Sequence, residues 1–127
     1  MKIKDFKIGD IISIDNKPVS ITFAMMMSHQ KYDDNPSVQP YVITPEFLIA
    51  NGITRLDDIA SEWVDPDEYY YNFNIDTGTH QIYMKDYGTL FEVEVIGKEL
   101  SSTGVIKYVH TLQHLIADCG INLTLTV

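Results

Sequence analysis

Short runs of alternating apolar and polar residues, joined by turn sequences, constrain this chain of 127 residues more than any other feature. The clearest run spans residues 90–96, where three apolar residues alternate with two glutamates. Such alternation is typical of an antiparallel strand with one buried face. Residues 69–75 and 81–85 repeat the pattern, and turn sequences at 76–78 and 86–88 separate the three runs. The sequence therefore predicts a three-stranded meander.

A second strand-rich region occupies the first third of the chain. Ile12 and Ile14 alternate with polar residues, and residues 21–25 do the same after a turn sequence at 15–18. In that turn Asp and Asn tolerate the left-handed backbone conformation, and the proline fixes its own φ. The region predicts a β-hairpin and admits a small barrel. Residues 28–40 are polar and hold two prolines, which indicates a long loop.

The middle of the chain predicts a short helix that begins and ends at clear signals. Thr44 is a good N-cap, and Pro45 suits the first helical position because that position needs no amide donor. Gly52 fits the left-handed position after the last turn, and Ile53 can pack back over that turn.

A longer helix is predicted over residues 106–119, because apolar residues recur there at spacings of three and four. Gly120 ends it, and the alternation in residues 121–127 predicts a C-terminal strand. Tight turns, with no helical crossovers, join most of the predicted strands. We therefore expect one α+β domain over residues 1–127, with one short and one longer helix covering an antiparallel sheet.

The charge of the chain excludes some functions. Its 18 Asp and Glu outnumber 9 Lys and Arg, which gives a net charge of −9 and a pI near 4.6. This balance opposes direct nucleic-acid binding, which usually needs a basic face. The longest apolar run is far shorter than the ~20 residues that span a bilayer, so no membrane association is expected. No apolar signal segment follows the N-terminal lysines, and the single cysteine can form no disulfide framework, so we expect a cytoplasmic protein.

Most of the negative charge lies in residues 32–76, which hold ten acids and one arginine. Carboxylates on an exposed surface can imitate phosphates and attract a basic groove, while aromatic side chains add contact area. Alternatively, the aromatic residues enter the core and the acids only keep the domain soluble. Residues 65–68 also lack the glycine and bidentate glutamate of a calcium loop. The candidate interaction surface consists of Asp57, Asp58, Glu62, Trp63, Asp65, Asp67, Glu68 and Tyr70.

The longer helix carries a second candidate site on its polar face. His110, His114 and Asp118 recur every four residues, so two imidazoles and a carboxylate could bind a transition metal in a small metal-dependent hydrolase. Thr111 stands where an H-E-x-x-H motif would need its glutamate. The alternative is a solvated polar face with no site. Cys119 lies at the negative end of the helix dipole, which disfavours the thiolate, so we expect a small buried core residue.

Residues 25–27 are three consecutive methionines at the end of the predicted second strand. They could form an adaptable contact surface. The simpler expectation is that two of them face the core.

Three segments together resemble a group of small uncharacterised proteins encoded by phages and prophages of Bacteroidetes. They are FKIGD at residues 6–10, ITPEFLIANGI at residues 43–53 and KYVHTLQHL at residues 107–115. They match, in order, an IGD or IGN start, a TPE-x-L-x-x-x-G-(F/I) helix and a YVHxLQ helix. His114 departs from the amide side chain expected at its position. The resemblance implies a mobile-element origin and a cytoplasmic setting, and it implies no catalytic activity.

These observations lead to one main expectation and two alternatives. We expect a non-enzymatic phage- or prophage-type accessory protein that acts by contact with a protein partner or by self-association and uses no cofactor or metal. One alternative is an acidic, nucleic-acid-mimicking inhibitor of a host or defence protein. The other is the metal-dependent hydrolase that would use His110 and His114.

Overall fold

The computed structural model describes residues 1–55, 73–76, 79–97, 101–121 and 123–127. These residues form an α+β fold of two antiparallel sheets and three α-helices, as the sequence predicts for the class. The strands are β1 (Ile11–Ile14), β2 (Lys17–Ser20), β3 (Val38–Pro40), β4 (Thr54–Arg55), β5 (Phe73–Asp76), β6 (Gln81–Asp86), β7 (Phe91–Ile96) and β8 (Ser101–Ile106). The helices are α1 (Phe23–Met27), α2 (Pro45–Ala50) and α3 (Val109–Asp118), and single 3₁₀ turns cover Ile3–Asp5 and His29–Lys31.

The N-terminal sheet has the order β2-β1-β3. Asp15 and Asn16 both have positive φ, 51° and 65°, between the paired residues Ile14 and Lys17. That combination makes a two-residue hairpin turn whose twist matches the strands. A hairpin therefore forms at the predicted turn, but its second strand is Lys17–Ser20 and not residues 21–25. The predicted barrel is wrong for the described residues, because their strands form two open sheets. The predicted loop at residues 28–40 contains a 3₁₀ turn and ends in β3.

Helix α1 replaces the second half of a predicted strand. Thr22 precedes it, and its Oγ1 accepts a hydrogen bond from the Met25 amide at 3.2 Å. The four-residue spacing from Ile21 to Met25 brings both side chains to the same core in a helical turn as well as in a strand. Met26 also packs on that core, whereas Met27 is exposed, so the expectation that two methionines face the core is confirmed.

Strand β1 lies between two hydrophobic cores. Its neighbours Ile11 and Ile12 are both fully buried, but they point to opposite faces of the strand. Ile12 belongs to the smaller core, together with Ile3, Ile21, Met25 and Val38. Ile11 belongs to the larger core, which the second sheet and helices α2 and α3 enclose. The N-terminal sheet is therefore a separate layer and not an extension of the meander.

The larger sheet has the order β4-β5-β6-β7-β8. Its centre is the predicted meander: β6 and β7 are confirmed, and β5 confirms the described part of the first run. Strand β8 is new, because no strand is predicted over residues 101–105, and residue 106 was predicted to begin the longer helix. It pairs with β7 along six residues, from Phe91 opposite Ile106 to Ile96 opposite Ser101.

Helices α2 and α3 begin near their predicted positions and end at their predicted glycines. Thr44 Oγ1 accepts from the Phe47 amide at 3.1 Å, and Gly52 has φ of 76°. The Ile53 amide then donates to the Leu48 carbonyl, which closes the helix in the predicted way. Gly120 and Ile121 repeat this arrangement after α3.

The predicted C-terminal strand is wrong for the described residues, because residues 121 and 123–127 hold no strand. The segment is instead tied down by one amide side chain. Asn51 Oδ1 accepts from the Thr126 amide at 2.8 Å, and Asn51 Nδ2 donates to the Thr126 carbonyl at 3.1 Å. Two apolar side chains of the segment, Ile121 and Leu125, still enter the larger core, which explains the alternation. Among the described residues, no helix has the length and apolarity needed to cross a bilayer.

Candidate functional site

The candidate interaction surface lies wholly in residues 56–72, outside the described part of the chain. The second candidate, the polar face of α3, is described in full. His110 and His114 are both half-buried, so the face is not the solvated one that the simpler alternative anticipated. Its histidines contact the N-terminal segment that precedes β1.

Asp10 is the charged partner of this helix face. Its side chain is only 4% exposed, and it is the one buried polar residue in the described chain. Its two Oδ atoms lie 2.9 and 3.0 Å from Nε2 of His114, and Oδ2 also accepts from the Lys7 amide at 2.8 Å. A buried carboxylate needs such partners, because burial without them is costly. The pair therefore fixes the His114 ring and the turn before β1 together.

His110 lies one helical turn earlier among aromatic rings. Its ring meets Phe6 edge-on at 4.7 Å between centroids, stacks on Tyr108 at 5.8 Å and contacts His114 edge-on at 5.8 Å. Its Nδ1 is buried and has no hydrogen-bond partner. Burial lowers the pKa of His110, Asp10 opposes this effect, and His114 adds to the lowering. A neutral imidazole is favoured here.

Gln113 completes the contact between α3 and the N-terminal segment. Its Oε1 accepts from the Ile11 amide, and its Nε2 donates to the Gly9 carbonyl, both at 2.9 Å. The amide thus imitates the two bonds of a neighbouring strand. The contacts of His110, Gln113 and His114 join α3 to the first sheet, which is a structural use of the polar face.

The metal hypothesis gains no support from this geometry. Within the described ranges, no group of three or more His, Cys, Asp or Glu side chains is arranged to hold a metal ion. Asp118, the third residue of the sequence pattern, follows His114 by one helical turn. It lines a groove together with Thr111, His114 and Leu115, which are spaced three and four residues apart.

That groove, here called the α3–β8 groove, has a volume of about 280 Å³. One wall is the helix stripe just named, and the other is the sheet at Val93, Val95 and residues 103–106. Cavities that hold whole small molecules are about 300–1,000 Å³, so this groove suits a side chain better than a cofactor. No lysine or arginine is among the described residues that line it.

Gly104 forms part of the sheet wall of the groove. It faces the core side of the sheet, opposite the buried Val93. A Cβ placed on Gly104 would meet no atom within 4 Å, so the space over this residue is empty. Its φ is not positive, and the backbone conformation therefore does not require glycine.

Beside the groove lies the free edge of β8. This strand pairs with β7 on one side and with no described strand on the other. Val105 is 62% exposed, and none of the six residues is charged or proline. An edge strand leaves a row of backbone donors and acceptors unpaired, and proteins usually shorten such edges or protect them with charges or prolines.

The other described edge strands carry those protections. Strand β2 holds Lys17 and Pro18, β3 is three residues long and ends at Pro40, and β4 has two residues. Strand β8 is therefore the only long, unprotected edge among the described strands. An isolated glycine within a β-type run often marks close approach of a ligand or of another backbone. Gly104 was the signal from which the sequence could have located this site.

Two further features carry no chemistry of their own. A cavity of about 410 Å³ lies between the ends of α2 and α3 and strand β5, and Asp76 is the one titratable residue among its described lining. Cys119 packs against the larger core but is half-buried, not fully buried as expected. Burial raises the pKa of its thiol, with a smaller contribution from Asp118, so it is a poor nucleophile.

Comparison of the chain with protein-family models, with curated proteins and with solved structures finds no match. The site must therefore be interpreted from its own geometry.

Proposed function

We propose that this protein is a non-enzymatic accessory protein that binds an extended segment of a protein partner by strand addition to β8. The observation that carries the proposal is the contrast between β8 and the other described edges. The backbone groups of β8 that point away from β7 offer hydrogen bonds to an incoming strand, and such main-chain bonds supply affinity without a particular sequence. The histidines of α3 then have a structural role, because their contacts hold the N-terminal segment.

The charge of the chain favours a basic partner segment. The protein carries a net charge of −9, and Glu92 and Glu94 lie on the strand next to β8. Opposite charges across an interface speed association and discriminate against wrong partners. A second copy of this acidic chain is the less favoured occupant for the same reason. We also propose a phage or prophage origin and a cytoplasmic setting, which the resemblance of the three sequence segments supports.

Amide hydrogen exchange tests the strand addition directly. Peptides twice the length of β8 would be selected from a random displayed library on the intact protein and then synthesised. On binding, we expect slower exchange in residues 101–106 and unchanged exchange in β6, which is central in the sheet. Binders that leave β8 exchange unchanged, or a library that yields no binder, would refute the proposal.

A charged variant of β8 tests the same proposal, and the same substitution in the other sheet is its control. Val105→Lys places a cation on the solvent side of the edge, where it repels a basic segment and protects the strand. We expect peptide affinity to fall at least about tenfold, which corresponds to 1.4 kcal/mol. Val19→Lys, on the edge strand of the other sheet, should leave the affinity unchanged.

A further inference from the structure

Besides its free edge, β8 has an empty space over Gly104 on the side of the sheet that faces α3. The strand has positions 104 and 106 on the core side, and the first of these is glycine. In β7 the core-side positions are Val95, Val93 and Phe91, all of them buried. The core side of β7 is thus fully apolar, whereas β8 lacks a side chain at Gly104. Leu115 and Thr111 of α3 line the groove together with this residue.

We propose that the α3–β8 groove binds one large aliphatic side chain of the added strand, and that Asp118 selects a basic residue close to it. This inference rests on the proposed strand addition and names the sequence class of the partner. In a strand added beside β8, every second side chain points toward α3. The groove volume of about 280 Å³ is sufficient for a leucine- or isoleucine-sized group over Gly104.

The apolar part of the groove supplies the affinity for that side chain. Val93, Val95, Ile106 and Leu115 line it, and removal of a leucine or isoleucine side chain from water against such a surface is favourable. The opposite wall is held in place by the contact between His114 and the buried Asp10. A wall that is ordered before binding loses little entropy on binding.

Asp118 provides the discrimination by charge. It is exposed at the end of the helix stripe, and it is the one carboxylate in the described lining. No ion pair to it is present among the described residues. A lysine or arginine of the added strand can reach it while the aliphatic side chain occupies the groove. A segment that combines these two residues is therefore preferred over one with either alone.

Filling the groove from within tests the proposal. Gly104→Leu places a side chain in the empty space on a backbone that any residue can adopt, and a larger residue than glycine also suits a strand. We expect the fold to be retained and the affinity for the selected peptides to fall at least about tenfold. Thr54→Val is the matched control, because this exposed residue lies on β4, at the opposite edge of the same sheet, and does not line the groove. It should bind as the wild type does.

Two more variants keep the test decisive if Gly104→Leu does not fold. Leu115→Ala enlarges the groove and should shift selection from leucine or isoleucine toward phenylalanine or tryptophan. Asp118→Asn should reduce the affinity for peptides with lysine or arginine about twofold to fivefold and leave neutral analogues unaffected. Glu46→Gln, an exposed acid on α2, is its control.

The possible outcomes separate this inference from the proposed function. Selected peptides that share an aliphatic and a basic residue, and that lose affinity in Gly104→Leu, support it. Peptides that slow β8 exchange but bind Gly104→Leu as well as the wild type would overturn the groove assignment and leave strand addition standing. Self-association of the wild-type chain that Val105→Lys abolishes would overturn the foreign partner in favour of a second copy.

Discussion

Asp10 is the residue whose loss should disturb this structure most through a single polar contact. The carboxylate is almost fully buried and holds both His114 and the Lys7 amide. Asp10→Asn keeps the shape of the side chain but removes the charge, so the contact to His114 weakens and the backbone turn loses its strongest acceptor. Hydrogen bonds to charged groups contribute roughly 1.5–3 kcal/mol, and we expect a loss of about 2 kcal/mol in the free energy of unfolding.

Urea denaturation with Asp34→Asn as the control measures this loss. Asp34 forms an ion pair with Lys2 at 3.2 Å, but it is exposed, and exposed pairs contribute about 0–1 kcal/mol. A change in Asp10→Asn no larger than that in Asp34→Asn would show that the buried carboxylate does not hold the segment.

Substitution of His110, unlike that of Asp10, should stabilise the protein, because burial disfavours the charged form of the His110 ring. Its pKa in the folded protein is lowered from the ordinary value of 6.5, so the unfolded chain takes up the proton first as the pH falls. The stability associated with the neutral ring is complete above pH 6.5 and is lost below it. His110→Phe keeps the ring contacts, removes the unpartnered Nδ1 and should stabilise the fold by about 1 kcal/mol at pH 7.5.

The stabilisation by His110→Phe should be larger at pH 5 than at pH 7.5. At pH 5 protonation of His110 favours the unfolded wild-type chain, and the variant has no such group. Urea denaturation at both values checks the sign. Equal gains at the two pH values would mean that His110 does not titrate in this window. A loss at both values would mean that Nδ1 has a partner.

Among the elements, α2 shows how a short helix is stabilised by its ends. It has six residues, too few to be stable alone, and the Thr44 hydroxyl satisfies one of its free amides. Thr44→Ala should destabilise the protein by about 1 kcal/mol, whereas Thr44→Ser keeps the hydroxyl and should cost less than half of that. Thermal denaturation of the three proteins side by side makes the comparison. Equal losses in both variants would assign the effect to the methyl group and not to the cap.

The same capping signals explain how much of the fold is predictable. Thr44, Pro45 and Gly52 each act within one turn of chain, so the sequence locates α2 almost to the residue. The meander is equally local, because tight turns join strands with clear alternation. Strand β8 escapes prediction because Gly104 breaks the apolar period of its core-side face. The residue that opens the α3–β8 groove is thus the one that hides the strand.

The strand predictions at helix α1 and at the C-terminal segment were wrong for a different reason, since both sequences do alternate apolar and polar residues. Ile21 and Met25 can reach one core in either a strand or a helix, and the Thr22 cap decides for the helix. The C-terminal segment buries alternate residues as a strand would, yet it pairs with the Asn51 side chain instead of a strand. The polar face of α3 was also correctly singled out, but its partner Asp10 lies 104 residues away in sequence, which no local pattern reveals.

At the scale of the whole molecule, two cores meet at β1, and few bonds join them. The smaller core holds the N-terminal elements together, and Ile11 alone of that sheet reaches into the larger core. Besides Ile11, three contacts with α3 connect the two parts: Asp10 with His114, the backbone of residues 9 and 11 with Gln113, and the Phe6 ring with His110. Regions joined by so few interactions can open separately from the rest of a protein, below the free energy of global unfolding.

Gln113→Ala should therefore loosen the N-terminal part without unfolding the larger core. The substitution removes both bonds that the amide makes, to the Ile11 amide and the Gly9 carbonyl, and leaves two backbone groups without protein partners. At about 1 kcal/mol for each net bond, amide exchange in β1 and β2 should accelerate roughly tenfold or more. Exchange in β6 and β7 should stay within a factor of about two, because global unfolding still limits it.

Gln30→Ala, an exposed glutamine in the N-terminal part, is the control and should leave both regions unchanged. Equal acceleration in β1 and β6 would mean that the two cores unfold as one unit. In that case the contact between α3 and the N-terminal segment stabilises the whole fold, and the groove wall that depends on His114 would be as rigid as the central sheet. Separate opening would instead allow the N-terminal part to move while β8 and its groove remain in place.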